Sequence, residues 1–333
     1  MKKIYWNIFV FSLLATIVTL TLTGCNQPPT EHHDGDIEIK RFEQTLFETS
    51  LDEMPQALAA FKKEYDSPLL NNYPDNPQFM ADVAGFVSDS VVRHIYSITS
   101  RRYGELYWLE KELTQALQRA HKLDEEIDFQ HFATFVSAMF DYNERVNADR
   151  ESGSVLISID QYAIGDMEKY GHFGLPVYLV QLSDSAFLAS DIMAAIAECY
   201  VKAPDANSAT MLDYMVMYGK VLYFLDQVMP DKADHLKIRY TPEQLQWCQD
   251  NESMIWAYFI QHNLLYEKDF SRFHNFVDEA PKTNAFKDSA PRTTHYIGWQ
   301  IVRNYMKNNK CTLQELFALN DSQAILQGSQ YKP

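Results

Sequence analysis

Glycine is scarce in this chain, at 11 of 333 residues, and cysteine scarcer, at four. Few glycines disfavour loop-rich β architectures, whose tight turns need the left-handed backbone that glycine adopts without steric cost. Apart from Cys25, only Cys199, Cys248 and Cys311 remain, an odd set that permits one disulfide at most. Cys199 and Cys248 lie in apolar, helix-like surroundings where a thiol behaves as a small hydrophobe, so three buried free thiols are expected. No Cys-x-x-Cys occurs, which withholds support from a redox motif or a zinc ribbon. Basic charge is short as well: 29 Lys and Arg stand against 45 Asp and Glu, a net −16 at pH 7. That imbalance argues against nucleic acid, heparin-like polymers or an anionic leaflet as partners. Four catalytic signatures are also missing: His-Glu-x-x-His, Gly-x-Ser-x-Gly, a phosphate loop and Gly-x-Gly-x-x-Gly. His121 and Glu125 form the one neat helical ligand-type pair, at a charged helix end, and His32-His33 sits in a polar linker. Neither a metal nor another cofactor is expected.

What is present begins at the N-terminus. Lys2 and Lys3 precede an apolar run from Ile4 to Leu22, then Leu22-Thr23-Gly24-Cys25, and the chain turns polar at Asn26-Gln27-Pro28-Pro29. A positive start, an apolar middle and small residues before the cut describe a secretory signal peptide. The Leu-x-Gly-Cys ending resembles the lipobox of bacterial lipoproteins. Residues 1–24 would be removed, and Cys25 would carry a diacylglyceryl group plus a further acyl chain such as palmitate on its amine. Each buried CH₂ of those chains contributes about 0.8 kcal/mol to membrane attachment. A transmembrane anchor is the competing reading, since about 20 residues can span a bilayer. In the lipoproteins that this ending resembles, a residue such as Asn26 in place of Asp after the cysteine favours transport to the outer membrane. Glu31 and Asp34 lie too far along for the acidic signal that directs surface display, so the periplasmic face is expected.

Residues 25–36 read as a lipidated tether and 37–333 as one domain. Glu38 to Phe47 is a brief amphipathic segment. Ser50 to Glu53 is a capping-box pattern opening a helix with Met54, Leu58, Phe61 and Tyr65 on one face. Asn71 to Pro77 reads as a loop. Helical spacing covers Phe79 to Lys122, through Val83, Phe86, Val91 and Ile95, then Leu106, Leu109, Leu113 and Leu117, with Glu105, Glu110, Lys111 and Glu112 outward. Phe129–Asp141 and Val155–Ile159, separated by the polar stretch Asn143–Gly153, form the best strand–turn–strand candidate. Further helices are expected after Ser190-Asp191 as cap, over Ser208–Val228, after Thr241-Pro242-Glu243-Gln244, after Asp250 as cap, over Tyr296–Met306 and after Thr312-Leu313-Gln314-Glu315. The run Met211–Val228 has transmembrane length, but Asp213, Lys220 and Asp226 inside it point to a buried helix of a globular domain. Gly298 inside a helix implies a close helix contact. The expected fold class is α+β, mostly α-helical, with a small antiparallel sheet around Val155 to Ile159.

Several stretches together resemble a known family: Ile39-Lys40-Arg41-Phe42-Glu43, Ile157 to Tyr162, Tyr218 to Leu225, Tyr240 to Cys248, and Ile297 to Val302. With the lipobox, their order and spacing are similar to the gliding motility lipoprotein GldB family of the Bacteroidota, over roughly residues 36–331. The resemblance implies a lipoprotein linked to gliding machinery and, by association, to the type IX secretion apparatus. It also implies a distant, zincin-like relationship to predicted zinc proteases, in which a His-Glu-x-x-His helix and a downstream Glu hold the metal. This chain departs from that pattern. The matching helix reads Asp191 to Cys199 without histidine, and Tyr218 stands before Gly219-Lys220 where related sequences tend to have Glu. Two carboxylates seven apart, Asp191 and Glu198, make a poor zinc site without imidazole.

Two functional readings follow. One is a non-catalytic accessory or scaffold lipoprotein of the envelope, its degenerate cleft binding a partner protein or peptide of the gliding or secretion machinery. The other is a hydrolase or peptidase using carboxylates, with Asp160, Asp213 or Asp226 beside Glu198 in one pocket and pKa values raised by burial. Against the second stands the plainer expectation that each acid caps a helix or pairs with Lys220, Arg292 or Arg303. Asp160, Asp191, Glu198, Asp213 and Tyr218 are the candidate cleft residues, and Cys25 the lipidation site.

Overall fold

The computed structural model describes residues 36–65, 77–139, 145–166 and 175–333. Cys25, the tether to Gly35 and most of the expected Asn71–Pro77 loop lie outside them. Residues 35–333 form one compact unit. Along it run β1 (Ile39–Arg41), α1 (Phe42–Glu48), α2 (Met54–Glu64), α3 (Pro77–Ser88), α4 (Ser90–Arg102), α5 (Tyr107–Leu123), β2 (His131–Phe135), β3 (Val146–Asp149) and β4 (Ser154–Ser158). The rest is helical: α6 (Val177–Gln181), α7 (Ser185–Glu198), α8 (Met211–Val228), α9 (Asp234–Lys237), α10 (Pro242–Asp250), α11 (Glu252–Gln261), α12 (His274–Val277), α13 (Thr293–Asn308), α14 (Leu313–Ala318) and α15 (Ser322–Ser329). The fold is thus α+β and mostly α.

The sheet is mixed, which corrects the antiparallel expectation. Its order is β1-β2-β4-β3, with β1 and β4 each parallel to β2 and only β3 antiparallel to β4. The expected pair of apolar segments therefore runs parallel, His131 opposite Ser154 and Phe135 opposite Ser158. The hairpin partner of β4 is instead β3, inside the polar stretch: Val146 opposes Ile157 and Asp149 opposes Ser154, and the turn closes on Gly153 at φ +62°. Polar side chains disguised β3 because it is an edge strand, whereas every residue of central β4 is buried. At the other edge, α5 covers β1. The Glu110 carboxylate accepts the Ile39 amide at 2.9 Å and Thr114 Oγ1 accepts that of Ile37 at 2.9 Å. Glu110 is therefore buried, not part of the solvated face expected for it.

Helix faces mostly follow their spacing. Met54, Leu58, Phe61 and Tyr65 are buried, as are Leu106, Leu109, Leu113 and Leu117. The Phe79–Lys122 stretch is three helices, because Asp89 breaks the first and caps the second by accepting from Val91 N and Val92 N. That cap turns α4 so that Ile95 and Ile98 face the core and Val91 is left 54% exposed. Thr210, Thr241 and Thr312 each close a capping box with the residue three later. Two expected caps move: α7 starts at Asp184, whose carboxylate takes Ala186 N, which leaves Asp191 mid-helix, and Asn251 rather than Asp250 precedes α11.

At the centre α8 is buried almost all round and packs on α5, α7, α13, α14 and α15. Its closest neighbour is α13. A Cβ on Gly298 would overlap the Met215 carbonyl oxygen, and one on Gly219 would overlap the Gly298 carbonyl. No described helix is long and apolar enough to cross a membrane. Cys199, Cys248 and Cys311 are free, but only Cys248 is fully buried.

Candidate functional site

The helical repeat of α7 brings Asp191, Ala194, Ala195 and Glu198 onto one face, and that face forms one wall of a pocket of about 190 Å³. Helix α8 supplies Tyr218, Val221 and Leu222 at the same spacing, opposite it. Arg145 and Val146 enter from the start of β3. Lys237, Ile238 and Arg239 come from the end of α9, and Arg292 and His295 from the N-terminal turn of α13.

Asp191 is the hub. It accepts from Arg239 Nη1 and, at 2.7 Å, from the Tyr162 hydroxyl, and Arg145 Nε lies 3.9 Å away. Two guanidiniums thus share one carboxylate. Arg145 shows the strain: burial and then Arg239 pull its pKa down, and Asp191 opposes them. Arg292 completes the frame by donating to the carbonyls of Ile238 and Arg239, both at 2.8 Å, while its Nε lies 3.2 Å from Glu279. Arg239 (φ 56°) and Arg292 (φ 47°) both hold the left-handed backbone that β-carbons disfavour. Strain of this kind persists only where the surroundings over-determine it. Here the Arg292 bonds to backbone 238–239 do so, together with the Tyr240 hydroxyl, which donates to the carbonyls of Pro291 and Arg292 at 2.5 and 3.1 Å.

The remaining groups set the pocket's protonation. His295 stacks on Tyr218, ring centroids 3.6 Å apart, and burial followed by the Arg292 charge holds its pKa well below the ordinary histidine value. It is therefore a neutral imidazole at pH 7. Burial, then Glu198, pushes the Tyr218 hydroxyl up to about 12, so it remains a donor. Glu198 opens onto solvent at the pocket wall, yet the protein packed around it and then the Asp191 charge push its carboxyl upward. No cation pairs with it among the described ion pairs.

Of the candidate residues, Asp191, Glu198 and Tyr218 meet in this pocket. Asp213 is elsewhere: its carboxylate takes Thr210 N and Thr210 Oγ1, both at 2.7 Å, closing the capping box of α8 beside a separate cleft. Asp226 binds Lys237, Arg303 and the Trp299 indole at 2.7 to 2.9 Å. Asp160 is wholly buried and does not line the pocket. Its oxygens accept from Ser137 N, Ala138 N and Ser158 Oγ at 2.9 to 3.1 Å, and these donors oppose the upward push of burial. Asp160, Asp213 and Asp226 therefore do not join Glu198 in this pocket. Lys220 donates to the Leu319 carbonyl rather than to an acid, and Arg292 pairs with Glu279.

The cations were hidden from sequence reasoning, since positions 145, 239 and 292 share no spacing. The nearest signal was Arg292 directly after Ala290-Pro291, where a loop must enter a helix. Metal chemistry finds poor support in the donor set. Asp191 is already bound by two arginines, and among the described residues no three His, Cys, Asp or Glu side chains are grouped to hold an ion.

Residues 24–333 match the family described as Gliding motility protein GldB. No curated protein and no solved structure matches the chain. The matched span takes in Cys25, every strand and helix above, and all the residues of the pocket. The chain therefore belongs to the GldB family of gliding motility lipoproteins.

Proposed function

We propose that this protein is a lipid-anchored accessory or scaffold of the gliding and type IX secretion-type machinery, held at the outer membrane facing the periplasm, and that it is not an enzyme. The observation that supports this most is the composition of its pocket. Apart from Glu198, the charges at and around it are spent on one another: Asp191 on Arg145 and Arg239, Glu279 on Arg292, and Asp226 and Asp234 on Lys237 and Arg303. A general base needs a free lone pair within reach of a nucleophile, and such a locked array instead provides a fixed charge pattern for recognition. The lipobox and Asn26 support the anchor and its membrane. The test is affinity capture of the lipidated protein from its own membranes, crosslinked in place. Recovery of gliding or secretion envelope proteins is expected, in amounts that fall when Cys25 is replaced by Ser. Recovery of none would overturn the role.

A further inference from the structure

Helix α3 is apolar along most of its length, with Asp82 as its only charged residue. A helix of that composition is ordinarily buried. Here only Val87 is fully buried, while Met80, Val83 and Phe86 are half-buried and Ala81 and Gly85 are exposed. Helix α4 packs beside α3 and extends this surface. Its Val91 is 54% exposed, and Arg93, His94 and Arg101 lie exposed along the turns that follow. From 77 to 102 the chain carries three arginines against two aspartates, whereas the whole chain has 29 Lys and Arg against 45 acids. This stretch therefore repels acidic headgroups less than the chain as a whole does. Of the three arginines, Arg102 is taken by Asp166 and Asp184 at 2.9 and 3.0 Å, and Arg93 and Arg101 remain at the exposed surface. Apolar side chains beside exposed arginines suit a lipid surface, where the cation meets phosphate and its stem stays at the apolar boundary.

The course of the chain says what covers this face. On the lipid-anchor reading, residues 26 to 35 join Cys25 to the fold, ten residues that span at most about 40 Å. Asp36 to Arg41 follow, at most roughly 20 Å of chain. Arg41 then donates to the carbonyls of Tyr103 and Gly104 at 2.7 and 3.3 Å, immediately beyond the end of α4. Helix α1, which comes next, packs on α3 and α4 alike, with the Phe47 ring against Phe86 and stacked on Tyr96. We propose that α3 and the N-terminal half of α4 rest on the headgroup region of the bilayer that holds Cys25. Met80, Phe86 and Val91 lie at the acyl boundary there, and Arg93 and Arg101 meet lipid phosphates. A surface of such modest hydrophobicity is enough, because the tether holds it at high effective concentration beside the membrane. The docking fixes which side of the domain turns away from the bilayer toward its partners.

This inference rests on the lipid-anchor reading and deepens it. The test reconstitutes the full lipidated chain into vesicles of phosphatidylethanolamine and phosphatidylglycerol containing a phospholipid with a diazirine in its acyl chain. After illumination, mass spectrometry maps the labelled peptides. Helix α11 provides the internal comparison, since its Met254 and Ile260 are exposed at 43 and 48% and it has no such link to the tether. Peptides from residues 77–94 should carry at least fivefold more label than those from α11. Ala81→Glu combined with Val91→Glu places two charges at exposed positions, which the fold tolerates. That variant should lose at least fivefold of the label at 77–94, with flotation on the vesicles and the circular dichroism spectrum unchanged. Equal labelling of the two regions, label concentrated on α11, or unaltered label in the floated and folded variant would each overturn the docking and leave the anchor standing. A chain that does not float with the vesicles would overturn anchor and docking together. A chain that floats without label at 77–94, and forms a dimer in detergent that the two glutamates dissolve, would give the face to a second copy and overturn the docking as well.

Discussion

Single buried polar residues decide more of this domain than its surface charge does. Asp160 holds the β2 exit to the end of β4, because its two oxygens receive the amides of Ser137 and Ala138 and the hydroxyl of Ser158. An asparagine there would aim an NH₂ group at a backbone N–H, leaving a buried donor unmet. Asp160→Asn should cost about 2–3 kcal/mol, visible as a lower urea midpoint at unchanged slope. An unchanged midpoint would remove Asp160 from the framework. Lys220 offers a pH test. It is buried in α8, with its pKa lowered to about 8 by desolvation. Below pH 8 the lysine is charged in both folded and unfolded chains, and the fold bears the desolvation cost. Between 8 and the ordinary 10.5 the unfolded chain holds the proton and the folded one does not, so stability from this group rises with pH. Measured against Lys220→Met, the wild type should therefore gain stability from pH 7.5 to pH 10. A flat difference would contradict the depressed lysine.

Among the elements, the crossing of α8 and α13 matters most, because two contributors to the pocket hang from it: Tyr218 precedes Gly219, and His295 lies one turn before Gly298. With no side chain at either glycine, the two backbones meet directly. Gly298→Ala should cost about 3 kcal/mol or more by overpacking and should unstack His295 from Tyr218. Gly85→Ala is the control. Nothing lies within 4 Å of its Cβ position on exposed α3, so it should stabilise by about 0.5–1 kcal/mol. Thermal melting distinguishes the two, and equal effects would refute the crossing. The contact at Gly298 was legible in the sequence, as were the capping boxes at Thr241 and Thr312 and the core faces of α2 and α5, since each rests on local spacing. The sheet was half legible. Apolar β4 announced itself, but strand direction depends on which segments meet across long connections, and β3 is too polar to stand out. The pocket was legible in part, in Asp191 and Glu198, seven residues apart on one helix, and in Tyr218 on a second. Its arginines come from three distant segments, and only the folded chain brings them together.

For the molecule as a whole, the proposed lipid anchor and the folded domain make separate predictions. The described residues of the compact unit from Gly35 onward pack around a hydrophobic core of their own, with α8 at its centre. On the proposed reading, membrane attachment depends on the Cys25 thiol, the acceptor in the lipobox. At about 0.8 kcal/mol per buried CH₂, two or three acyl chains would give an attachment that the processed chain's net charge of −18 (−16 less Lys2 and Lys3) cannot undo by repulsion from acidic headgroups. Cys25→Ser should therefore shift the protein from the detergent-rich to the aqueous phase in a cloud-point partition, while its melting temperature stays within a degree or two of the lipidated form. The same strain should lose its envelope role, because accessory proteins act by being held near their partners, where tethering raises effective concentration without any new contact. Full function from an unanchored Cys25→Ser protein would reduce the lipid to an address and place all of the protein's recognition in the domain. Loss of the fold in that variant would show instead that anchor and domain are coupled, against the self-contained core described here.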